Sequence, residues 1–467
     1  MADPSTPILP EGREGRTAPE RRRPSRRAIA IGAVVVIALG GGLLAWQVTR
    51  SAPALVATGP EPGIRPLIAI VDPTGALATV DPAGRKTVLS AEVDATFGFP
   101  AWSPDGRRIA GVRDAISDSA ISIFPVRRDD PDASPGAGPT VVYRSATVRP
   151  FYLYWTPDGR RVSFLATEGG DISLRVVPDD GSAPLDGSAP GGLIRRGAPL
   201  YFDWIAADRL LLHVGLGPDA FTGEVGLDGS AAAPGLTAEG EFRPAVVGAD
   251  GRYQAFVRGQ GPASQLVVAA RDGSGEHSVA VFGATAAVFD PRGATLGAIG
   301  PDQPGAIAMA FPIGPLRLIE AASGTVRTLI DGTVVGFFWS PDGKTIAALR
   351  LQAGGSQVAR AGVGSLAAGS PVPPTLPPDP DLHLVFVSVA DGAVRSDRVI
   401  KLASHFVNQF LPYFDQYALS HRVWSPDSSS ILLPITDQTG TDQLAVLPAA
   451  GGEASLTIPG QSGFWSP

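Results

Sequence analysis

The sequence predicts an all-β fold, a single β-propeller built from four-stranded sheets, and three observations support it. A Trp-Ser-Pro-Asp-Gly phrase recurs along the chain, short β-rich runs follow each copy, and the two chain ends complement each other. A repeat of about 40–55 residues is typical of propellers and other repeat arrays rather than of a domain with one core.

The phrase occurs in complete, variant and weaker copies, at residues 102–106, 155–159, near 204, 248–251, 289–293, 339–343, 424–428 and 464–467. Pro-Asp-Gly favours a tight turn, because proline presets φ and glycine accepts a positive φ. Six of the seven tryptophans stand at the aromatic position of the repeat: Trp102, Trp155, Trp204, Trp339, Trp424 and Trp465. We expect these rings to pack between neighbouring sheets, where a large flat side chain buries much apolar area, rather than to bind a ligand.

Each repeat predicts one antiparallel meander. The first complete copy is followed by β-rich runs at residues 107–112, 121–124 and 140–143. Together with the strand that ends at the tryptophan, these runs make the four-stranded blade of a propeller.

The chain ends predict a composite blade. Residues 463–467 stop where a next strand should begin, and the runs at 66–71, 76–80 and 86–89 supply the missing strands. Such closure hides the sheet edges that an open array would expose. The repeats then number eight blades, or seven if the weak copy near Ala249 merges with a neighbour.

The N-terminal region predicts a membrane anchor. Residues 28–46 contain no charged side chain, and five arginines stand just before them at positions 21, 22, 23, 26 and 27. This length can cross a bilayer as a helix, and the arginines place the N-terminus in the cytoplasm. We expect a basic cytoplasmic tail at 1–27, a transmembrane helix at 28–48, an Ala/Pro-rich linker at 49–64 and an extracytoplasmic propeller at 65–467. A signal peptide cleaved near residues 52–54 is the alternative.

Composition excludes several classes of function. The chain has no cysteine, and therefore neither disulfides nor thiolate metal sites. Without its first 27 residues, which carry seven arginines and four acidic residues, the net charge of −7 becomes −10, which argues against binding of nucleic acid. The five histidines lack metal-ligand spacing, and no serine elbow, P-loop or dinucleotide motif occurs. We therefore expect no enzymatic activity, no metal and no cofactor.

One segment departs from the repeat. Residues 405–422, just before the copy at Trp424, are rich in aromatic and polar side chains and should reach one mouth of the central channel. The candidate binding residues are Tyr413, Asp415, Tyr417 and His421, because aromatic rings with polar ends are typical of recognition surfaces. The alternative is a plug whose aromatic side chains fill the hub of the ring.

The repeat resembles that of TolB-like β-propellers. The resemblance lies in Trp-Ser-Pro-Asp-Gly followed by Arg-Arg-Ile-Ala at 107–110 or Lys-Thr-Ile-Ala at 344–347, and it covers the chain from about residue 65 onward. The same propeller occurs in prolyl-oligopeptidase-like enzymes, whose chemistry lies in an α/β-hydrolase domain that this chain lacks. The chain also lacks the small N-terminal domain of TolB. The resemblance implies a binding platform in a bacterial cell envelope.

These features predict a membrane-anchored, extracytoplasmic propeller that binds an envelope protein or another envelope ligand. One alternative is a sensor that signals through the membrane span. The other is a hydrolase or lyase assembled from several blades at the channel mouth, which clustered carboxylates and histidines with perturbed pKa values would support.

Overall fold

The computed structural model describes residues 65–126, 138–186, 192–215, 220–231, 245–259, 264–303, 312–351 and 382–467. Its strands form a series of antiparallel sheets in chain order. No helix in these ranges is long and apolar enough to cross a membrane. The predicted tail, transmembrane helix and linker lie outside the described residues.

The first and last described strands share one sheet. Its order is β29 (Ser462–Trp465), β1 (Ile68–Val71), β2 (Leu77–Val80) and β3 (Lys86–Ser90). In the antiparallel register of β1 and β29, Ile68 lies opposite Trp465. This is the composite sheet that the sequence predicts, with its first strand taken from the C-terminal end of the chain.

Each of the next four sheets contains one copy of the repeat, at the end of its first strand and the turn that follows. The second contains β4 (Ala95–Trp102), β5 (Arg108–Ala115), β6 (Ser119–Pro125) and β7 (Thr140–Ser145). The third contains β8 (Arg149–Trp155), β9 (Arg161–Glu168), β10 (Asp171–Pro178) and β11 (Leu193–Arg196). The fourth contains β12 (Leu200–Ala206), β13 (Arg209–Val214) and β14 (Phe221–Gly226). The fifth contains β15 (Ala245–Val247), β16 (Tyr253–Arg258), β17 (Gln265–Ala270) and β18 (His277–Ala280).

The sixth sheet joins two successive meanders through one long strand. It contains β19 (Ala286–Phe289), β20 (Thr295–Ile299), β21 (Gly314–Glu320), β22 (Val326–Trp339), β23 (Thr345–Leu351), β24 (Leu382–Ser388) and β25 (Val394–Ile400). The first half of β22 pairs with β21 and its second half pairs with β23. Strand β22 therefore closes one meander and opens the next.

The last meander is formed by β26 (Ser430–Thr436), β27 (Asp442–Pro448) and β28 (Leu456–Ile458). A single antiparallel bridge between Trp424 and Ile431 adds the segment that carries the repeat tryptophan. The order of strands within this meander is thus the same as in the second and third sheets.

The Pro-Asp-Gly segments form the tight turns that the sequence predicts. Gly106 has φ 65° and donates its N–H to the Ser103 carbonyl at 2.8 Å. Equivalent bonds hold the copies at Gly159 and Gly343. In the variant at 424–428, Ser428 takes the glycine position and adopts φ 62°, a conformation that glycine tolerates better than a residue with a Cβ.

Five of the six repeat tryptophans link neighbouring meanders through their indole N–H groups. Four of them donate to a carbonyl just before the aromatic position of another copy: Trp102 to Phe464 at 3.0 Å, Trp155 to Ala101 at 3.0 Å, Trp339 to Val288 at 3.1 Å and Trp424 to Phe338 at 3.0 Å. Trp204 donates to the Ser163 hydroxyl at 3.2 Å. Leu432 and Leu444 of the last meander cluster with Ile68 of the first sheet, so the series of sheets closes on itself, which is the arrangement of a β-propeller.

The core lies between neighbouring sheets. Val71 and Leu77 of the composite sheet cluster with Phe97, Trp102 and Ile109 of the second sheet. All of these side chains are buried. The five hydrogen-bonded tryptophans therefore contribute both apolar area and one directed hydrogen bond, whereas Trp465 contributes apolar area.

Candidate functional site

The insert folds into three short helical turns ahead of Trp424. A π-helical turn covers Phe406–Phe410, a 3-10 turn covers Leu411–Tyr413, and helix α1 covers Phe414–Ala418. At Tyr413 the backbone leaves the helical region, with φ −127° and ψ 29°. The two sides of this break therefore do not share one regular helical face.

The apolar side of the insert packs against the first strands of several sheets. Phe410 stacks on Phe406 at 4.6 Å and on Tyr417 at 4.5 Å, measured between ring centroids. Phe414 meets Phe337 of β22 edge-on at 5.3 Å. These rings are buried and fill the space enclosed by the first strands of the sheets.

Gln416 ties helix α1 to two other sheets. Its Nε2 donates to the Tyr152 hydroxyl at 2.7 Å and to the Phe202 carbonyl at 2.8 Å. Its Oε1 accepts the Phe202 N–H at 3.0 Å, and its own carbonyl accepts the Tyr152 hydroxyl at 2.8 Å. A buried amide with its donors and acceptors satisfied fixes the position of the helix.

Asp415 is a buried carboxyl at the beginning of helix α1. It accepts the Gln416 N–H at 3.0 Å, and the backbone of Ala287 also hydrogen-bonds to it. Burial raises its pKa to about 7, and the hydrogen bonds only partly oppose that shift. Asp415 is therefore substantially protonated at neutral pH.

A second buried carboxyl, Asp203, lies on β12 next to Trp204. It accepts the Tyr154 hydroxyl at 3.2 Å and the Val247 N–H at 3.0 Å. Burial raises its pKa to about 6. Sequence reasoning missed Asp203, although a lone carboxylate inside the apolar run of β12 is a signal for a buried polar contact.

His421 is enclosed by aromatic rings. Its ring lies 4.5 Å from Phe464 and 5.4 Å from Tyr417, and its Nδ1 is 2.6 Å from the Ser420 hydroxyl. Its buried Nε2 has no hydrogen-bond partner among the described residues. Burial lowers its pKa to about 3, so His421 is neutral at physiological pH.

The structure separates the four predicted binding residues. Asp415, Tyr417 and His421 are buried, while Tyr413 is 49% exposed. Three of the four candidate binding residues therefore do not lie on an exposed surface, because strands of the surrounding sheets enclose them. In these three positions the insert is a plug, the alternative that the sequence left open.

An exposed side of the insert replaces the predicted patch. Ser404, Asn408, Gln409 and Tyr413 are exposed. Their spacing of four, one and four residues places them along one side of the short helical turns, opposite the buried Phe406 and Phe410. We call these four residues the exposed face of the insert. Sequence reasoning found only Tyr413, although the spacing of the polar residues was a signal for the others.

The described residues contain no group of three or more His, Asp or Glu side chains placed to hold a metal ion. The perturbed carboxyls Asp203 and Asp415 instead lie near tyrosines. Tyr201 lies near both of them, and burial raises its pKa well above the usual value.

The buried state of Asp415 predicts a pH-dependent stability. An unfolded aspartate ionises near pH 4, whereas folded Asp415 keeps its proton until about pH 7. Between these values the folded state binds more protons, so stability falls as pH rises. Relative to wild type, Asp415→Asn should gain stability from about pH 4 to about pH 7, by up to a few kcal/mol at about 1.4 kcal/mol per pKa unit. Thermal unfolding across this range measures the difference, and a difference independent of pH would contradict the buried, protonated state.

No protein-family model and no curated protein matches the chain. Solved structures do resemble it. A putative TolB from Agrobacterium tumefaciens has 19% identity over 60% of this chain and 96% of its own, with a TM-score of 0.35. TolB from Acinetobacter baumannii has 14% identity over 80% and 70%, with a TM-score of 0.34. An oligogalacturonate lyase from Vibrio parahaemolyticus has 12% identity over 59% and 80%, with a TM-score of 0.42. These similarities carry no information about activity, and the fold rests on the sheet topology.

Proposed function

We propose that the chain is a membrane-anchored, extracytoplasmic propeller of eight blades that binds an envelope protein or ligand through the exposed face of the insert. It has no catalytic activity of its own, no cofactor and no nucleic-acid partner in this proposal. The observation that carries it is the division of the insert into a buried aromatic side and an exposed polar side.

The strand pairing supports a count of eight blades. The described residues form seven sheets, and the sixth contains two meanders joined by β22. The three strands β26 to β28 complete a meander when the Trp424 segment is added through its bridge to Ile431. The weak copy near Ala249 has a sheet of its own, β15 to β18, which favours eight blades over seven.

The exposed face has the composition of a binding surface. Tyrosine offers a large rigid area with a polar end, and the amides of Asn408 and Gln409 offer adaptable donors and acceptors. Below them, the Gln416 hydrogen bonds and the stacked phenylalanines hold the turns in place. A surface fixed before binding loses less conformational entropy when a partner docks.

The membrane anchor is supported by the uncharged stretch at 28–46 and the five arginines before it. We expect external protease to degrade the propeller of intact spheroplasts and to spare the tail at 1–27. Immunoblotting with separate epitopes at the two ends distinguishes the fragments. A propeller that resists protease until the membrane is lysed would refute this orientation.

Crosslinking in cells tests the binding function. A photoreactive benzophenone amino acid in place of Asn408 should give a discrete adduct, because this position lies on the exposed face. The matched control is the same amino acid in place of Val399, an exposed position on β25. If both positions give the same adducts in the same yield, or if Asn408 gives no adduct, the exposed face of the insert is not the binding surface.

A hydrolase or lyase is the second candidate function, favoured by the raised pKa values of Asp203 and Asp415 and by the Ser420–His421 pair. Wild type and Asp415→Asn would be assayed with peptides and with acidic oligosaccharides from about pH 5 to about pH 8. Turnover by wild type that Asp415→Asn loses without any decrease in melting temperature would establish catalysis. Absence of turnover by the folded wild type would exclude these substrate classes.

A further inference from the structure

Two loop tips far along the sequence from the insert expose aliphatic side chains. Val93 lies between β3 and β4, and Ile116 lies between β5 and β6. Their exposed fractions are 101% and 97%, whereas the next most exposed large hydrophobic side chain among the described residues is Val399 at 68%. Two neighbouring aliphatic side chains left wholly in water are unfavourable unless something covers them.

Both tips are held in place by the same arginine. Arg113 of β5 pairs through Nε with Glu92 at 2.6 Å and through Nη1 with Asp118 at 3.0 Å. Glu92 is adjacent to Val93, and Asp118 closes the turn that carries Ile116, with the Ala115 N–H bonded to its carbonyl at 2.9 Å. The two loops therefore form one connected support.

The Ile116 tip is also held from the third sheet. Arg149 of β8 donates through Nη1 to the Ala115 carbonyl at 2.8 Å and through Nη2 to the Ile116 carbonyl at 3.3 Å. The same Nη1 pairs with Asp114 at 2.6 Å. Exposed apolar side chains on a fixed backbone are preorganised for contact, since little backbone freedom remains to be lost on binding.

A solvent-open depression of about 620 Å³ lies between the two tips, lined by Thr74, Val93, Asp94, Thr96, Ile116 and Arg149. Its openness suits a side chain presented by a protein surface better than an enclosed small molecule. The β3–β4 connection joins one sheet to the next, as does the connection that carries the insert. In a propeller such connections lie at the same mouth, so this surface lies on the same side of the ring as the insert.

The charges at the depression select the partner. Glu92 and Asp118 pair with Arg113, and Asp114 pairs with Arg149, whereas Asp94 takes part in no ion pair among the described residues. The open charge is therefore negative. A basic side chain complements it, and an anionic lipid surface does not.

We propose that this depression docks a protein segment in which an aliphatic or aromatic side chain is flanked by Lys or Arg. Val93 and Ile116 would pack against the apolar side chain, and the Asp94 carboxylate would form an ion pair with the Lys or Arg side chain. This inference rests on the proposed function only in that the propeller binds a protein, and it adds the chemistry of the segment recognised.

The test uses the full chain in detergent and three series of synthetic dodecapeptides, measured by fluorescence polarisation. The first series carries a central Leu or Phe flanked by Lys or Arg, the second has Glu or Asp flanks, and the third has a central Gly with basic flanks. We expect the first series to bind about tenfold or more tightly than the others, and Ile116→Asp to remove that preference. Val399→Asp is the matched control and should change nothing. Asp94→Lys should shift the preference toward the acidic flanks.

Three results would overturn the proposal: equal affinity for all three series, equal loss with Val399→Asp, or no response to Asp94→Lys. Ile116-dependent binding to vesicles of anionic phospholipid would assign the surface to a membrane, and Ile116-dependent self-association in sedimentation would assign it to a second copy. Crosslinking from Asn408 in the Ile116→Asp protein separates this proposal from the proposed function. If the Asn408 adduct forms but the chain binds all three peptide series equally, only the proposal for the depression is refuted. If no Asn408 adduct forms in the chain with Ile116 intact, the binding role of the insert is refuted.

Discussion

Deletion of residues 463–467 is expected to lower the melting temperature by on the order of 10 °C or to prevent folding. The deletion removes most of β29, the partner of β1, and with it the buried side chains of Phe464 and Trp465. Loss of a buried tryptophan side chain alone costs about 3–5 kcal/mol, a large part of the stability of an ordinary domain. The deletion also exposes the edge of β1 and removes the Phe464 carbonyl that accepts the Trp102 indole N–H.

Two conservative variants are the controls for this deletion. Trp102→Phe leaves the Phe464 carbonyl without its indole donor. It should lower the free energy of unfolding by about 1 kcal/mol in addition to the loss caused by the smaller packing area. Trp465→Phe should lack this extra cost, because the buried Trp465 Nε1 has no hydrogen-bond partner among the described residues. Thermal unfolding, monitored by circular dichroism, gives the melting temperatures of all three proteins. If the protein that lacks residues 463–467 has the melting temperature of wild type, the ring is not closed by its C-terminal strand.

Tyr417→Ala is expected to destabilise the fold by about 3–5 kcal/mol, as large-to-small changes in packed cores do. Tyr417 is buried, stacks on Phe410 at 4.5 Å and meets Tyr152 edge-on at 5.2 Å. Its removal leaves a cavity in the hub, between the insert and the third sheet. Chemical denaturation at constant pH measures the change in the free energy of unfolding.

Tyr413→Ala is the matched control, with the same residue type four positions earlier in the insert. Tyr413 is half exposed, so its truncation should change the free energy of unfolding by no more than about 0.5 kcal/mol. Equal losses in the two variants would mean that the insert does not have one buried and one exposed side.

The sheets could be predicted from the sequence because of the repeat. The turn residues have few conformational choices, and the observed strands β5, β6 and β7 overlap the predicted runs at 107–112, 121–124 and 140–143. The union of two meanders through β22 was not predictable. Strand β22 contains Asp331-Gly332, a pair of residues that predicts a turn. Gly332 instead continues the strand with φ 90°.

The candidate site was predicted only in part, because burial in the insert depends on strands far away in sequence. Tyr413 and Tyr417 are four residues apart and would share a face of a regular helix. The backbone break at Tyr413 separates them, so one is exposed and the other is buried. Asp203 and Gln416 join the polar network through contacts with other sheets, which no local pattern contains.

The most direct test of the binding face compares the adduct formed from Asn408 in wild type with that formed in the Tyr413→Ala protein. Both residues lie on the exposed face, and Tyr413 contributes little to folding. We expect the adduct yield to fall by about tenfold or more at an unchanged melting temperature, because an exposed tyrosine at the centre of an interface carries much of the binding energy. An adduct of undiminished yield in the folded variant would contradict the assignment of this face as the binding surface.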